Sequence, residues 1–392
     1  MTAIVNTKIL LPDSIIWDGI VVFDGDTIKA VGKKGEVEVP EGCDIVDARG
    51  LYTAPGLIDI HNHGSEDDLF VDEPKKCCEY FIKHGQTTIL PTFYCNLTTE
   101  QMLTGAEKIR AIHKTGTGRV IGGLYMEGPY MSGGGSNQKY ILWTGDILKE
   151  EYEPLFEGLS DLARVWAIDP ARPGIEEFMA YVHEKTPDAI FALGHSKATA
   201  AQCRKVQKYG VKVQTHFGCS GKAKGLAQGC IGPGCDEYDL SNPDIYAEVI
   251  PDEVGVHLQS DMLRFAARTK GVERMIIITD CMASKEKFLN NEEEGIAYGP
   301  DLNYDYEGHL AGSRLTQDNA VRNYMAHTGY GLVHAIRAAT YNPACLLGID
   351  DKVGSVEVGK KANLIIIDDT IRVKKVYLEG ELAVDNGNVV MK

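Results

Sequence analysis

The chain has 392 residues, of which 44% are hydrophobic and 24% are charged, a balance typical of an ordinary globular protein. This length exceeds what one small hydrophobic core needs, and it predicts one large domain together with a smaller one. The net charge of -16 at pH 7 disfavours a nucleic-acid backbone or an anionic membrane surface as a partner.

The N-terminal stretch, MTAIVNTKILLPDS, lacks the basic start, the long apolar core and the small-residue cleavage site of a signal peptide. No apolar run in the sequence is long enough to span a bilayer. These two features predict a cytoplasmic protein. Its ten cysteines are therefore expected to be mostly thiols.

Both ends of the chain are rich in short apolar segments separated by turns. Near the N-terminus, Asp-Gly pairs at 18–19 and 24–25 separate apolar runs, which is typical of antiparallel hairpins. Near the C-terminus, residues 364–368 and 373–387 have the same character. The sequence therefore predicts a small β-sandwich domain formed by residues 1–53 and 353–392, and a larger domain over residues 54–352.

The middle of the chain alternates apolar strands with helical segments, for example at 176–185 and 199–209. The eight strand candidates lie at 57–63, 87–93, 120–127, 163–169, 189–195, 211–216, 254–258 and 275–280. Eight strands separated by helices predict an α/β fold, a closed (β/α)8 TIM-like barrel, rather than an open sheet. In such a barrel the active site lies at the C-terminal ends of the strands.

The first barrel strand lies in LYTAPGLIDIHNHG, residues 51–64, and ends in His61-Asn62-His63. Side chains alternate along a strand, so His61 and His63 point to the same face. Two imidazoles at a strand end can bind one metal ion, although two hydrogen-bonded structural histidines would give the same pattern.

Residues of the same chemical kind lie on or at the end of five further strand candidates. They are Glu127, His195, His216, His257 and Asp280. Any one of them alone is typical of a buried, hydrogen-bonded side chain. Together, carboxylates and imidazoles are the ligands of a divalent cation that activates water, such as Zn²⁺, Fe²⁺ or another first-row ion.

Several longer motifs accompany these residues. They are PGLIDIHNHG at 55–64, TTILPTF at 87–93, MEGPY at 126–130, LGHSKAT at 193–199, THF at 215–217, VHLQSDMLRFAARTKG at 256–271, TDCMAS at 279–284, LAGSRLT at 310–316 and NPACLLGIDDKVGSVEVGKKANLIIID at 342–368. With these motifs the chain resembles the N-acetylglucosamine-6-phosphate deacetylase family of the amidohydrolase superfamily. The resemblance covers nearly the whole chain, and the glutamate in a Glu-Gly-Pro setting is its most specific part.

The resemblance implies a role for each residue that matches the family's pattern. Glu127, His195 and His216 would hold the main metal ion. A second ion could be held by His61 and His63 with Glu127 as a bridge, since family members use one ion or two. By the same resemblance, Asp280 (which ends strand eight) would be the general base and then the general acid.

The resemblance also implies a set of substrate-binding residues. His257 would help to hold the substrate, and Gln138 in GGGSNQ approximates a family position, His or Gln, that polarises the acetyl carbonyl. After His216 the family continues into a segment that binds the sugar and its phosphate. Cys219 and Ser220 stand at that segment here and are candidate substrate-binding residues.

The chain departs from the family pattern where the phosphate would bind. No arginine occurs from 205 to 263, and arginine is the residue that binds phosphate in a bidentate manner. Lys222 and Lys224 could replace it as point charges, or they could be solvated lysines on a loop. The segment GGGSNQ also lacks the basic character of the corresponding family loop.

The sequence therefore predicts metal-dependent hydrolysis of the N-acetyl group of an amino sugar, in first place N-acetylglucosamine 6-phosphate, by an enzyme that the resemblance implies to be a homodimer. One alternative is a deacetylase of an unphosphorylated or different N-acetyl sugar, or of another small amide. A second is a metal-free binding or scaffold protein on the same fold. A dihydroorotase-like hydrolase is disfavoured, because the superfamily relatives that bridge two metals with a carboxylated lysine place it on strand four, and residues 165–169 contain no lysine.

Overall fold

The computed structural model describes residues 1–65, 67–132, 141–218, 232–283, 299–304 and 309–391. The strands are β1 (Thr2–Leu10), β2 (Ile15–Asp24), β3 (Thr27–Lys33), β4 (Asp44–Asp47), β5 (Tyr52–Pro55), β6 (Leu57–Asn62), β7 (Gln86–Tyr94), β8 (Leu124–Glu127), β9 (Ala163–Ile168), β10 (Ile190–Leu193), β11 (Val211–Gln214), β12 (Tyr246–Val249), β13 (Met275–Ile277), β14 (Leu302–Tyr304), β15 (Leu310–Ser313), β16 (Leu364–Ile367), β17 (Val373–Leu378), β18 (Glu381–Asp385) and β19 (Asn388–Val389).

Helices lie between most of the central strands. They are α1 (Pro74–Lys83), α2 (Thr99–Ile112), α3 (Lys149–Leu159), α4 (Ile175–Lys185), α5 (Ala200–Val206), α6 (Cys235–Ser241), α7 (Ser260–Lys270), α8 (Gln317–Thr328), α9 (Leu332–Ala338) and α10 (Tyr341–Leu347), with short 3-10 helices at Gly116–Val120 and Gln207–Tyr209. The two helical segments predicted at 176–185 and 199–209 are confirmed. Among the residues described, no helix combines the length and the apolarity that crossing a membrane requires.

The two ends of the chain form one nine-stranded sheet. Its order is β19-β18-β17-β16-β5-β1-β2-β3, and β4 pairs in parallel with β1. Alternating residues of these strands share a face and pack into a core of their own, which combines Ile4, Val21 and Phe23 with Leu364 and Ile366. The predicted association of both termini in one β unit is confirmed, while the domain boundaries at 53 and 353 stay a prediction.

The strands β6 to β13 pair in sequential order, all in parallel, as an eight-stranded barrel wall with helices between successive strands. The predicted fold class is therefore confirmed. Seven of the strand candidates lie where the sequence placed them, although β8 is shorter than predicted. The seventh was wrong, because β12 lies at Tyr246–Val249 and residues 254–258 form turns after it. Glu248 interrupts the apolar run of β12, and for this reason the sequence pattern did not predict a strand there.

A side chain helps to close the barrel between its first and last strands. At the C-terminal end of these strands, the Asp280 backbone N–H donates to the His61 carbonyl at 2.9 Å. Deeper in the wall, the buried Gln317 amide donates to the carbonyls of Ile58 at 3.3 Å and Ile277 at 2.9 Å. Gln317 thus replaces part of a backbone ladder and fixes the start of β6 relative to the end of β13.

Replacing Gln317 by leucine is expected to destabilise the fold. The change leaves two buried carbonyl groups without their donor, and an unsatisfied buried group costs about 1–3 kcal/mol. Chemical denaturation should therefore show a lower free energy of unfolding for Gln317→Leu. The control is Gln259→Leu at an exposed helix start, where the side chain makes no capping hydrogen bond. An equal loss in both variants would contradict the bridging role.

Candidate metal centre

Six side chains from five barrel strands meet at the C-terminal end of the barrel. They are His61, His63, Glu127, His195, His216 and Asp280. All six are buried, and each lies at the end of its strand or within three residues of that end. The sequence predicted these residues as metal ligands and catalytic base, and the structure brings all of them together.

The backbone is strained at three of these positions. His195, His216 and Asp280 have φ angles of 41°, 23° and 49°, in the left-handed region that residues with a Cβ rarely adopt. Each such residue costs about 1–3 kcal/mol, so the surrounding structure must hold it in place. Strain concentrated at three strand ends of one cluster is typical of a site that is maintained for function.

Glu127 lies at the centre of the cluster. Its Oε1 atom is 3.0 Å from His195 Nε2 and 3.0 Å from His216 Nε2. Its Oε2 atom is 3.3 Å from His63 Nε2 and 3.8 Å from His61 Nε2. The two oxygens of one carboxylate therefore face two different pairs of imidazoles.

The cluster contains two sets of three metal-ligand atoms that share Glu127. In both His61–His63–Glu127 and Glu127–His195–His216, the ligand atoms lie within 4.8 Å of one another. His61 Nε2 is buried and has no hydrogen-bond partner in the described part of the chain, which a bound ion would supply. Imidazole nitrogens and carboxylate oxygens are zinc-type ligands, so these residues fit a divalent ion in each triad.

Asp280 lies beside the His61–His63 pair. Its Oδ1 atom is 3.1 Å from His63 Nε2 and 3.7 Å from His61 Nε2. Burial alone would raise the pKa of Asp280, but the hydrogen bond with His63 and the nearby charge of His61 lower it below its usual value. The carboxylate is thus ionised and able to accept a proton.

The carboxylates also act on the two histidines of the first strand. Burial lowers the pKa of His63, but Asp280 and Glu127 outweigh burial and raise it to about 9. The pKa of His61 is raised well above its usual value in spite of burial, because the carboxylates of Glu127 and Glu248 on either side of its ring stabilise the protonated form. In the metal-free protein both rings therefore carry a proton at neutral pH that an ion must displace.

Metal affinity at His61–His63–Glu127 is accordingly expected to depend on pH. Because only a neutral imidazole binds an ion, affinity should rise by about tenfold per pH unit for each displaced proton, and less steeply above the His63 pKa of about 9. At the other triad, burial lowers the pKa of His216 in spite of its contact with Glu127. The ion held there should show a weaker pH dependence. Competition with a chromophoric chelator across this pH range measures both affinities.

His63→Gln provides the control for this pH dependence. Glutamine cannot hold the displaced proton, so the steeper of the two pH dependences should become shallower in the variant. Equal pH dependence for both ions in the unchanged protein would contradict the assignment of the raised pKa values to the first-strand histidines.

Glu248, which lies beneath the cluster on β12, was not among the predicted site residues. Its Oε2 atom is 3.2 Å from His61 Nδ1 and accepts the backbone N–H of His216 at 3.3 Å. His63 has a comparable support, because its Nδ1 atom lies 3.2 Å from the Thr92 carbonyl oxygen. The one signal in the sequence was a glutamate inside an otherwise apolar segment, residues 245–250.

His257 lies outside the two triads, in the turns that follow β12 rather than on a strand. Its Nδ1 atom is 3.1 Å from Asp252 Oδ2, and its Nε2 atom is 3.1 Å from the Gly312 carbonyl oxygen. The next residue, Ser313, donates its backbone N–H to the Asp280 carbonyl at 2.8 Å. The predicted strand position of His257 was therefore wrong, whereas its role in substrate binding stays a prediction.

Three further predicted substrate-binding residues lie outside the described residues. They are Gln138, Cys219 and Ser220. Their assignment stays a prediction from the sequence, as does the role of Lys222 and Lys224, which fall in the same undescribed range.

Two known proteins are similar to this chain in sequence over most of their length. The chain is similar to the N-acetylglucosamine-6-phosphate deacetylase of Haemophilus influenzae, with 27% identity over 396 residues, which covers 97% of this chain and 98% of the relative. It is also similar to the N-acetylgalactosamine-6-phosphate deacetylase of Escherichia coli O157:H7, with 28% identity over 344 residues, which covers 84% of this chain and 87% of the relative.

A solved structure extends the likeness to the fold. The crystal structure of N-acetylglucosamine-6-phosphate deacetylase from Pasteurella multocida matches this chain with a TM-score of 0.83 and 26% identity, covering 98% of this chain and 100% of that one. The model of the amidohydrolase family matches residues 52–390, which is most of the chain. The protein therefore belongs to the amidohydrolase family, and it is a hydrolytic enzyme.

Proposed function

We propose that this protein is a metal-dependent deacetylase that hydrolyses N-acetylglucosamine 6-phosphate to glucosamine 6-phosphate and acetate. The observation that carries the proposal is the arrangement of Glu127 between two histidine pairs, with the ionised Asp280 beside one of them. The relatives of similar length support the choice of substrate, because those compared above are named as deacetylases of 6-phosphorylated N-acetyl amino sugars.

The residues have separable tasks in this reaction. A divalent ion held by either triad would supply a Lewis acid that polarises the acetyl carbonyl and makes water more acidic. Asp280 accepts the proton of the attacking water, since its low pKa keeps it ionised. Asp280 then donates that proton to the amide nitrogen as the carbon–nitrogen bond breaks, because an amine cannot leave as an anion.

Substrate recognition is proposed to involve residues around this centre. His257 is held by Asp252 and by the Gly312 carbonyl, close in the structure to the Asp280 backbone. We assign it to substrate binding together with Gln138, Cys219 and Ser220, as the family resemblance implies. Lys222 and Lys224 are candidates for the phosphate, because the chain has no arginine from 205 to 263.

Two specific observations each favour a different alternative substrate. One relative is named for the galactose epimer, so N-acetylgalactosamine 6-phosphate is a candidate. The missing arginine favours a sugar without phosphate. A panel of both N-acetyl hexosamines, each with and without the 6-phosphate, separates these possibilities when acetate release is measured for every member.

The proposal expects the highest kcat/KM for N-acetylglucosamine 6-phosphate. Faster turnover of the galactose epimer would change the sugar but keep the reaction. A preference for the unphosphorylated sugars would reject the proposal that the substrate carries a 6-phosphate. No acetate release from any member, with divalent metal added, would reject the deacetylase function itself.

The remaining parts of the proposal concern metal identity and assembly. We propose one or two ions of Zn²⁺ or Fe²⁺, and a cytoplasmic homodimer, on the basis of the family resemblance. Elemental analysis of the purified protein tests the metal, and light scattering coupled to size-exclusion chromatography tests the dimer.

A further inference from the structure

A buried carboxylate lies on the opposite side of His61 from the metal triads. Glu248 is fully buried on β12, and its Oε2 atom is 3.2 Å from His61 Nδ1. The same oxygen accepts the backbone N–H of His216 at 3.3 Å. The mechanism above makes no use of this group, although burying a carboxylate without strong partners is costly.

The position of Glu248 decides which nitrogen of His61 can bind an ion. A carboxylate oxygen accepts the hydrogen of Nδ1, so the neutral ring keeps its lone pair on Nε2. That Nε2 atom faces Glu127 Oε2 at 3.8 Å and Asp280 Oδ1 at 3.7 Å. A bare lone pair that faces two carboxylates is electrostatically unfavourable, so this nitrogen holds either a proton or a metal ion. The ring is therefore oriented for a cation.

The contacts of Glu248 Oε2 with the His61 ring and with the His216 backbone are unequal. With His61 it contacts the imidazole ring, whose other nitrogen is a metal-ligand atom. With His216 it contacts only the backbone N–H. The Nε2 atom of His216 is held independently by Glu127 Oε1 at 3.0 Å. A change at Glu248 should therefore affect the His61 side of the centre more than the His216 side.

We propose that Glu248 is a positioning residue that fixes the tautomer and orientation of His61, and thereby holds the second ion at His61–His63–Glu127. The inference rests on the metal-dependent part of the proposed function. It adds that the chain binds two ions, and that the affinity of one of them depends selectively on a carboxylate that is not itself a ligand.

The test uses the full chain after removal of metal, with the variants Glu248→Gln and Glu248→Leu. Titration with Zn²⁺ against a chromophoric chelator measures the affinity and number of ions. Glu248→Leu should weaken the second ion by about 10- to 100-fold, the usual effect of losing a group that orients a ligand. Glu248→Gln should restore part of this loss, because its amide oxygen still accepts from His61 Nδ1.

A matched control is Asp252→Asn. Asp252 accepts from His257 Nδ1 as Glu248 does from His61 Nδ1, but His257 belongs to neither triad. Asp252→Asn should therefore keep both ions at unchanged affinity. The absorption spectrum of the Co²⁺-loaded protein adds a readout of the ligand geometry, and it should change in the Glu248 variants but not in this control.

Three outcomes would overturn the inference. They are a single ion in the unchanged protein, unchanged affinity of both ions in Glu248→Leu, and equal weakening of both ions in that variant. If the Leu variant fails to fold by circular dichroism, Glu248→Gln decides, since it preserves shape. The readout needs no sugar substrate, so selective loss of the second ion would stand even if the deacetylase reaction were rejected.

Discussion

Asp280→Asn is expected to lower the kcat of acetate release by about 10²- to 10⁴-fold, the usual contribution of a general acid–base group. Asparagine has nearly the same shape as aspartate but cannot take the proton of the attacking water or return it to the leaving nitrogen. Both metal triads are complete without Asp280, so the variant should retain its ions. Steady-state kinetics together with elemental analysis of the same preparation measures the two effects separately.

Asp239→Asn is the control for this variant. Asp239 is also a buried carboxylate, but it pairs with Lys270 at 2.9 Å between α6 and α7 rather than facing the cluster. Its replacement should lower stability and leave kcat near the unchanged value. Near-normal turnover of Asp280→Asn would contradict the assignment of the base, and loss of metal in that variant would make Asp280 a ligand instead.

Glu127→Ala is expected to remove both ions and, with them, the activity. Each oxygen of Glu127 faces a different histidine pair, so one substitution takes a ligand from both triads. Loss of the Lewis acid should lower kcat/KM further than the roughly 10²- to 10⁴-fold expected for loss of the proton-transfer group alone. Metal content per chain and acetate release after incubation with Zn²⁺ measure the result.

Single histidine variants provide the comparison. His61→Gln should weaken only the ion of its own triad, and His195→Gln only that of the other. Glu127→Ala should therefore lose more metal than either histidine variant. If it instead kept two ions, the shared-carboxylate arrangement would be wrong, and the two triads would have to be held by other groups.

Part of the candidate site follows from local sequence alone. His61 and His63 are two residues apart on a strand, so the alternation of side chains places them on one face in any fold that keeps the strand. The alternation of strands and helices then predicts a parallel barrel, whose strand ends converge at one rim. For this reason Glu127, His195, His216 and Asp280 could be predicted as neighbours although they are far apart in the chain.

Other features depended on contacts between distant segments. Glu248 is a polar residue in a buried strand, and its partners, His61 and the His216 backbone, come from two other strands. Because strands were predicted from apolar runs, β12 was not predicted, and residues 254–258 were predicted as the seventh strand instead. The bridging role of Gln317 could not be predicted for a similar reason. Only the folded barrel brings the Ile58 and Ile277 carbonyls within hydrogen-bond distance of its amide.

The amino-acid sequence by itself determined the fold class, the residue types of the centre and the strand ends on which they lie, because periodicity and turn chemistry are local properties. Only the tertiary structure decided that one oxygen of Glu127 faces each histidine pair. It also decided that Glu248 contacts Nδ1 of His61, the ring nitrogen that points away from Glu127. These are distances between side chains on different strands, and they are set by the register and closure of the barrel, which no local pattern encodes.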